Sequence, residues 1–111
     1  MAAKTDVKKI VRELVLEIGA IDTQADNYQT AIVTDDEHGH YLLIKTGWYN
    51  NKRLYGPYLH LEVRDNRVYV QQNGTDIHIG QELNQRGIPR EAIVLEFQMP
   101  FKREFSGFAV S

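Results

Sequence analysis

The chain contains no cysteine at any of its 111 positions. Disulfide bonds and thiolate metal sites are therefore excluded, which is compatible with a reducing compartment. No apolar run approaches the roughly 18 to 20 residues of a membrane-spanning helix, and the N-terminus lacks the hydrophobic segment of a signal peptide. From these absences we expect a cytoplasmic protein that makes no membrane contact.

A surplus of basic residues is also missing, because 13 Lys and Arg stand against 15 Asp and Glu. Non-specific binding to duplex DNA needs Lys and Arg that displace counterions from several phosphates, so independent high-affinity DNA binding is disfavoured. The length and the hydrophobic content of 42% are those of an ordinary small domain. We expect a single domain over residues 1–111.

The stretch from His40 to Thr75 shows three runs of strand-forming residues separated by two short polar turns, Asn50-Asn51 and Asp65-Asn66. Asn and Asp tolerate the positive φ of two-residue hairpin loops. A further strand, Tyr28 to Asp35, precedes them. The loops predict these facing residues: Val63 and Val68, Leu61 and Val70, Glu62 and Tyr69, His60 and Gln71, Leu42 and Leu59, Thr46 and Tyr55, Trp48 and Arg53, Val33 and Leu42, Ala31 and Ile44.

This register sends the aliphatic residues, together with Trp48 and Tyr55, to one face of the sheet. Gly56-Pro57 interrupts the long middle strand and predicts a bulge, since proline lacks the amide donor of a central ladder. The opposite face becomes rich in tyrosine, which suits either a partner protein, a second copy of the chain, or cover by the C-terminal tail. Its members are the interface candidates Tyr41, Leu43, Tyr49, Leu54, Tyr58, His60 and Tyr69.

Two helices are predicted on either side of these strands. The first begins at Asp6 after an N-cap at Thr5, buries a stripe from Val7 to Ile18, and ends at Gly19. The second is capped by Thr75 or Asp76 and ends at Gly87-Ile88-Pro89, with Ile88 against Leu83. Gly80 inside it suggests a close approach to the sheet.

After Pro89 we expect at most one helical turn and then a short buried strand, Ile93-Val94-Leu95. The aromatic tail is too apolar to be disordered, so it should pack on the domain or on a neighbour. Its rings are Phe97, Phe101, Phe105 and Phe108. The predicted fold class is α+β, with an antiparallel sheet of about four to six strands and both helices packed on one face.

Histidines provide the few candidates for chemistry. His38 and His40 in a carboxylate-rich loop are weak candidates for a metal site. His60 on the tyrosine face could act as an acid or base with Tyr58 or Tyr69. A solvated loop and a structural histidine explain them more simply. There is no nucleophile elbow, HExxH motif or phosphate-binding glycine loop, so we expect no enzyme and no cofactor.

The basic residues that could contact DNA lie near the turns and in the tail. If the fold brought them to one end of the molecule they would form a local patch, which is the alternative to acting through protein contacts. They are Lys52, Arg53, Arg64, Arg67, Lys102 and Arg103.

The chain resembles the XisI family, the fdxN element excision controlling factors of cyanobacteria. The similarity runs in order from the second strand to the C-terminus. It lies in Gly47-Trp48, Lys52-Arg53-Leu54-Tyr55-Gly56, His60-Leu61, Asn73-Gly74-Thr75, Gly80, Glu82-Leu83, Gly87-Ile88-Pro89, Ile93-Val94-Leu95, Pro100 and Gly107-Phe108-Ala109-Val110. Departures occur at Tyr49, where many members have aspartate, and at Gln98-Met99, where many have His-Pro before Pro100.

The resemblance implies an accessory role in programmed excision of a DNA element that interrupts nitrogen-fixation genes. It implies partners, namely a site-specific recombinase and a companion factor, XisH, and it brings no known catalytic residues. We therefore expect a non-enzymatic protein that binds a XisH-type protein or a recombinase, with self-association as a further expectation. DNA would be contacted mainly through those partners. The alternatives are a direct DNA-binding accessory protein and a small-molecule or metal-dependent enzyme.

Overall fold

The computed structural model describes residues 6–22, 28–104 and 106–109. A five-stranded sheet of order β1-β2-β3-β4-β5 carries helices on one face. The elements in chain order are α1 (Val7–Asp22), β1 (Gln29–Asp35), β2 (His40–Tyr49), β3 (Lys52–Arg64), β4 (Arg67–Asn73), α2 (Ile79–Gln85), a 3₁₀ turn (Arg90–Ala92), β5 (Ile93–Val94) and α3 (Pro100–Arg103).

The α+β prediction is confirmed, with one difference in the sheet. Strands β1 to β4 are antiparallel, whereas β5 pairs in parallel with β4, so the sheet is mixed. No helix in the described part of the chain is long and apolar enough to cross a membrane.

Both predicted two-residue turns are present. Their central residues have positive φ: 49° and 67° at Asn50 and Asn51, 51° and 62° at Asp65 and Asn66. Two consecutive left-handed residues give the turn whose twist matches that of the flanking strands. The predicted register is confirmed beside the turns, where Trp48 faces Arg53 and Val63 faces Val68. The β1–β2 register, with Val33 opposite Leu42, is confirmed as well.

Two bulges change the register farther from the turns. Leu43 faces Leu59 but Ile44 faces Pro57, so Tyr58 is an extra residue in β3. The bulge predicted next to Pro57 therefore exists, and beyond it the predicted pairing of Leu42 with Leu59 is wrong, because His60 faces Leu42. A second bulge at Gln71 places Gln72, rather than Gln71, opposite His60.

The core lies between α1, α2 and one face of the sheet. Its members are Val7, Val11, Leu14, Val15, Ile18, Tyr41, Leu43, Leu59, Leu61, Val63, Val68, Val70, Ile79, Leu83, Ile88, Ile93, Leu95 and Phe108. The inner face predicted for β3 and β4 is confirmed. The face predicted for β1 and β2 is inverted, because Tyr41 and Leu43 lie in the core whereas Leu42 and Ile44 alternate to the other side.

α1 buries the predicted stripe but does not end at Gly19. It continues to Asp22, and Gly19 instead allows close packing on the sheet: a Cβ built there would lie 2.7 Å from Ile32 Cδ1 and 2.9 Å from Leu43 Cδ2. The predicted cap at Thr5 lies outside the described residues.

The N-cap of α2 is His78, whose Nδ1 accepts a hydrogen bond from the Gln81 amide, so the predicted cap at Thr75 or Asp76 is wrong. The C-terminal glycine is confirmed at Gly87, with φ of 112°. Ile88 is buried and its amide donates to Leu83 O.

Gly80 contacts the tail rather than the sheet, since a Cβ there would lie 2.8 Å from the Phe108 ring. Phe108 is therefore packed as predicted, whereas Phe97 and Phe101 are exposed. Phe105 lies outside the described residues.

Candidate functional site

The sheet face turned away from α1 and α2, which we call the outer face, is apolar along much of its length. Side chains alternate across a strand, so the burial of Tyr41 and Leu43 under α1 puts their neighbours on this face. Among the described residues, the helices that pack on the sheet through the core lie on its other side. The apolar members of the outer face are Ala31, Val33, Leu42, Ile44, Trp48, Tyr55 and Pro57.

One end of the outer face extends into a two-stranded arm, residues 47–54. β1 pairs with β2 only as far as Thr46, and β4 reaches only Leu59 of β3, so the arm has no third strand among the described residues. Trp48 is 64% exposed, and Tyr55 at the base of the arm is 70% exposed. The Arg53 guanidinium lies 5.5 Å from the centre of the Trp48 ring. Isolated two-stranded ribbons are marginal in water, so an arm with bare aromatic rings gains from docking on another molecule.

The opposite end of the outer face is polar. Nδ1 of His40 and Nε2 of His60 are 3.1 Å apart. Burial lowers the pKa of His60, the nearby His40 lowers it further, and Glu62 opposes both effects. Arg64 forms an ion pair of 3.1 Å with Glu62 and stacks on the Tyr69 ring at 3.8 Å. The charged side chains at this end are therefore paired within the protein. At the apolar end, Arg53 contacts the Trp48 ring instead of a carboxylate among the described residues.

The seven interface candidates do not share one surface. Tyr41 and Leu43 are fully buried beneath α1, so their assignment to an exposed face is wrong. The physical reason is the extra residue at Tyr58 in β3. Because of it, the odd-numbered residues of β2, and not the even-numbered ones, lie on the same face as Leu59, Leu61 and Val63. Tyr49 and Leu54 lie on the arm, and only His60 and Tyr69 lie on the outer face.

Tyr58 lies on the helix side, where it closes a polar contact between the sheet and α1. Its hydroxyl donates to Asp22 Oδ2 at 2.5 Å, and Lys45 Nζ is 4.9 Å from its ring centre. Burial, and then the hydrogen bond to the Asp22 carboxylate, raise the pKa of Tyr58 to about 12. The Tyr41 hydroxyl donates to Asp36 Oδ1 at 2.7 Å in the same way, and burial, followed by this hydrogen bond, raises the pKa of Tyr41. Both tyrosines therefore attach structural elements to the sheet.

The two metal candidates are directed to different partners. His38 Nδ1 contacts Asp35 Oδ2 at 2.9 Å in the β1–β2 loop, whereas His40 contacts His60 on the outer face. Within the described ranges, no cluster of three or more metal-ligating side chains is present. His60 also lies on the opposite side of the sheet from Tyr58, so the alternative of an acid–base pair is not assembled with that tyrosine.

The basic candidates are not gathered at one end, which corrects that part of the DNA hypothesis. Lys52 and Arg53 begin β3 and Arg64 ends it, 13 residues in all. Such a strand is about 40 Å long. Arg67 donates to the Glu91 carbonyl, Arg103 donates to the carbonyls of Glu96 and Gln98, and Lys102 lies in α3.

The sequence predicts the cross-strand partners of Trp48 and Tyr55 correctly, namely Arg53 and Thr46, but it places both aromatic side chains on the core side of the sheet. Their exposure follows from the bulge, and the signal was Pro57 itself. An added residue in the strand next to Pro57 exchanges the faces of everything beyond it. A register that includes this added residue assigns Val33, Ile44 and Trp48 to the outer face.

The chain is similar to known proteins over almost its entire length. The family model described as XisI protein matches residues 1–110. A crystal structure of a XisI-like protein from Anabaena variabilis superposes with a TM-score of 0.84 at 31% sequence identity, covering 94% of this chain and 95% of that one. No curated protein matches the chain.

A second crystal structure from Anabaena variabilis, of the fdxN element excision controlling factor XisI, has a TM-score of 0.83 at 23% identity, again covering 94% of this chain and 95% of the other. At that identity the likeness shows the fold. The family model and the 31% identical relative together show more than the fold. The chain belongs to the XisI family.

Proposed function

We propose that the protein is an accessory factor that controls excision of a DNA element and acts through protein contacts rather than by catalysis. Its partner on this proposal is a XisH-type companion protein or a site-specific recombinase. Family membership supports the role in excision, since one neighbour is named as the fdxN element excision controlling factor. Because the partner holds the DNA or performs the chemistry, the accessory protein itself needs a contact surface and no active site.

One observation carries the assignment of that surface. Two of the stretches that carry the resemblance to the family, Gly47-Trp48 and Lys52 to Gly56, fold into the exposed arm and its base. Core packing does not explain their residue types, because Trp48 and Tyr55 are among the most exposed large side chains. Exposed aromatic residues beside arginine are typical of binding hot spots. We assign the partner contact to the arm and the apolar part of the outer face.

The contact also has an electrostatic component. Arg53 stacks on Trp48 without a carboxylate partner among the described residues, so its charge is available to a partner acid. Lys52, also exposed, lies beside it at the tip. An acidic patch around an apolar pocket is the complementary surface, and arginine can pair with a carboxylate through two parallel hydrogen bonds.

A binding titration with purified companion protein tests the proposal. Trp48→Ser and Tyr55→Ser should each weaken binding by about 30-fold, the effect of removing a hot-spot aromatic residue of about 2 kcal/mol. Each variant should keep the wild-type circular dichroism and melting temperature, because neither ring lies in the core.

Ile21→Ser is the matched control, since Ile21 is 69% exposed on α1, on the opposite side of the sheet. It should bind as the wild type does. If all three variants bind the companion and the recombinase equally well, the arm and the outer face are not the contact surface.

A further inference from the structure

The strand β1 leaves one border of the sheet open. It pairs with β2 through all seven of its residues, and no strand of the described chain pairs with its other side. The opposite border is protected, because β5 has only two residues and Ala109 of the tail bridges to Val94 beyond it. One border of the sheet is therefore covered by the tail, and the other, at β1, has no strand beside it among the described residues.

β1 also lacks most of the features that keep an edge strand from pairing, since its one charged residue, Asp35, stands at its end. Its sequence, QTAIVTD, has no Lys, Pro or Gly, and its register with β2 has no bulge. Four of the seven residues are β-branched, and Ile32 and Val33 are each more than a third exposed. Edges of this kind are templates for pairing with another strand.

The backbone groups that point outward can be identified from the ladder. The Val63 amide donates to Gly39 O, so odd-numbered residues of β2 bond to β3 and even-numbered ones bond to β1. Their facing residues on β1 are the odd-numbered ones. The amides and carbonyls of Thr30, Ile32 and Thr34 therefore point away from the sheet.

We propose that a second copy of this chain pairs with that edge, antiparallel, about a two-fold axis at Ile32. The two five-stranded sheets then become one continuous sheet, with both α1 helices on the same side. In this register Ile32 faces its own copy, Thr30 faces Thr34, Ala31 faces Val33, and Gln29 faces Asp35. Axes at Ala31 or Val33 would instead place Ile32 opposite a threonine and leave part of the strand unmatched.

α1 extends this interface above the sheet. Arg12 reaches Asp36 in the β1–β2 loop, and Gly19 packs on Ile32, so this side of α1 lies over β1. Leu16, spaced four residues from Arg12 and three from Gly19, shares that side and is 42% exposed. A second copy would cover it, adding apolar area to seven residues of strand pairing.

The proposal concerns the edge of β1, which adjoins the outer face at Ala31 and Val33 and does not include the arm. It does not depend on the proposed function. Solution mass measured over a wide range of concentrations tests it, and the wild type should approach twice the chain mass of 12.8 kDa. Thr34→Pro removes an outward amide, and hence two symmetry-related hydrogen bonds, while leaving the β1–β2 ladder intact. It should weaken dimerisation about tenfold.

Thr34→Val is the control, because it keeps the amide and should remain dimeric. Cysteine pairs test the register independently, since the chain has no other thiol. A mixture of the single variants Ala31→Cys and Val33→Cys should form disulfide-linked dimers faster than either variant alone. A monomer at all concentrations, or a dimer whose crosslinking does not distinguish the mixture, would overturn the proposal.

Discussion

His60 lies at the polar end of the outer face, where burial and His40 both hold its pKa below the ordinary 6.5. A histidine whose folded pKa is lowered binds its proton more readily in the unfolded chain, so stability is retained above pH 6.5 and lost as the pH falls. We expect the free energy of unfolding of the wild type to decrease as the pH falls below 6.5. In His60→Gln the free energy of unfolding should decrease less over the same pH range.

Urea titrations at a series of pH values measure the difference. The acidic residues titrate in both proteins, so the gap between the two curves isolates His60. His40→Gln should give an intermediate curve, because it removes the charge repulsion and leaves the burial. Parallel curves for His60→Gln and the wild type would show that His60 does not sense its surroundings in this way.

Gly19 fixes the distance between α1 and the sheet. In Gly19→Ala the new methyl group would be within 2.9 Å of both Ile32 and Leu43. Overpacking costs about 1 to 3 kcal/mol, against a gain of about 1 kcal/mol in helix propensity. We expect a net loss of up to about 2 kcal/mol by urea denaturation.

A double-mutant cycle supplies the control. Ile32→Ala removes both Ile32 atoms that the new methyl group would meet, Cδ1 at 2.7 Å and Cγ1 at 2.8 Å, and leaves the Leu43 contact in place. The double variant should therefore be more stable than the two single effects predict. Additive effects would mean that α1 shifts away from the sheet instead of pressing on the Ile32 side chain.

At the scale of elements, the turn at Asp65-Asn66 sets the register of β3 and β4. Asn66 has a φ of 62°, a conformation that costs an ordinary residue about 1 to 2 kcal/mol. Asn66→Ala should therefore lower the free energy of unfolding by about 1 kcal/mol, and Asn66→Gly should be neutral or stabilising.

The same two substitutions at Gln81, an exposed position in α2, provide the comparison. There alanine should be more stable than glycine by about 1 kcal/mol, since helical backbone reverses the preference. The same order of stability at both sites would contradict the role of the left-handed turn.

The turns show how far the sequence predicts this sheet. Asn50-Asn51 and Asp65-Asn66 act locally, so their pairings are predictable within a few residues. A bulge depends on tertiary fit, and each added residue exchanges the two faces beyond it. The sequence therefore predicts the strands and the inner face of β3 and β4, but assigns β1 and β2 to the wrong sides.

The candidate site was affected by the same cause. Trp48 and Tyr55 were visible in the sequence as partners of Arg53 and Thr46, and their exposure was not. The predicted N-cap of α2 is wrong for a related reason. Three polar residues, Thr75, Asp76 and His78, precede the helix, and the side chain of each can accept a hydrogen bond from its first turn. In the folded protein Ile79 and Leu83 pack in the core, and the helix begins at Ile79 with His78 as its cap.

At the scale of the whole molecule, the sheet makes the protein long and thin, with extents of 52 × 35 × 23 Å. The arm is at one end of β3, and the Asp65-Asn66 turn is at the other. This shape separates Lys52 and Arg53 from Arg64 and Arg67 by about 40 Å. It presents an apolar face between them in place of a basic one.

Charge and shape together predict that the chain alone binds duplex DNA weakly. Lys52 and Arg53 form a pair rather than a patch, and Arg64 is neutralised by Glu62 and Glu96. Each phosphate contact adds about 0.9 to the slope of log affinity against log salt. We expect a slope no greater than about 2, that is, no more than two contacts, measured by fluorescence anisotropy with labelled duplex at low and moderate salt.

Arg53→Glu should abolish the residual binding and Arg64→Glu should not, because Arg64 already has two carboxylate partners. A steep slope that both variants reduce equally would instead mean that DNA spans the full length of the protein and that the protein reads DNA directly.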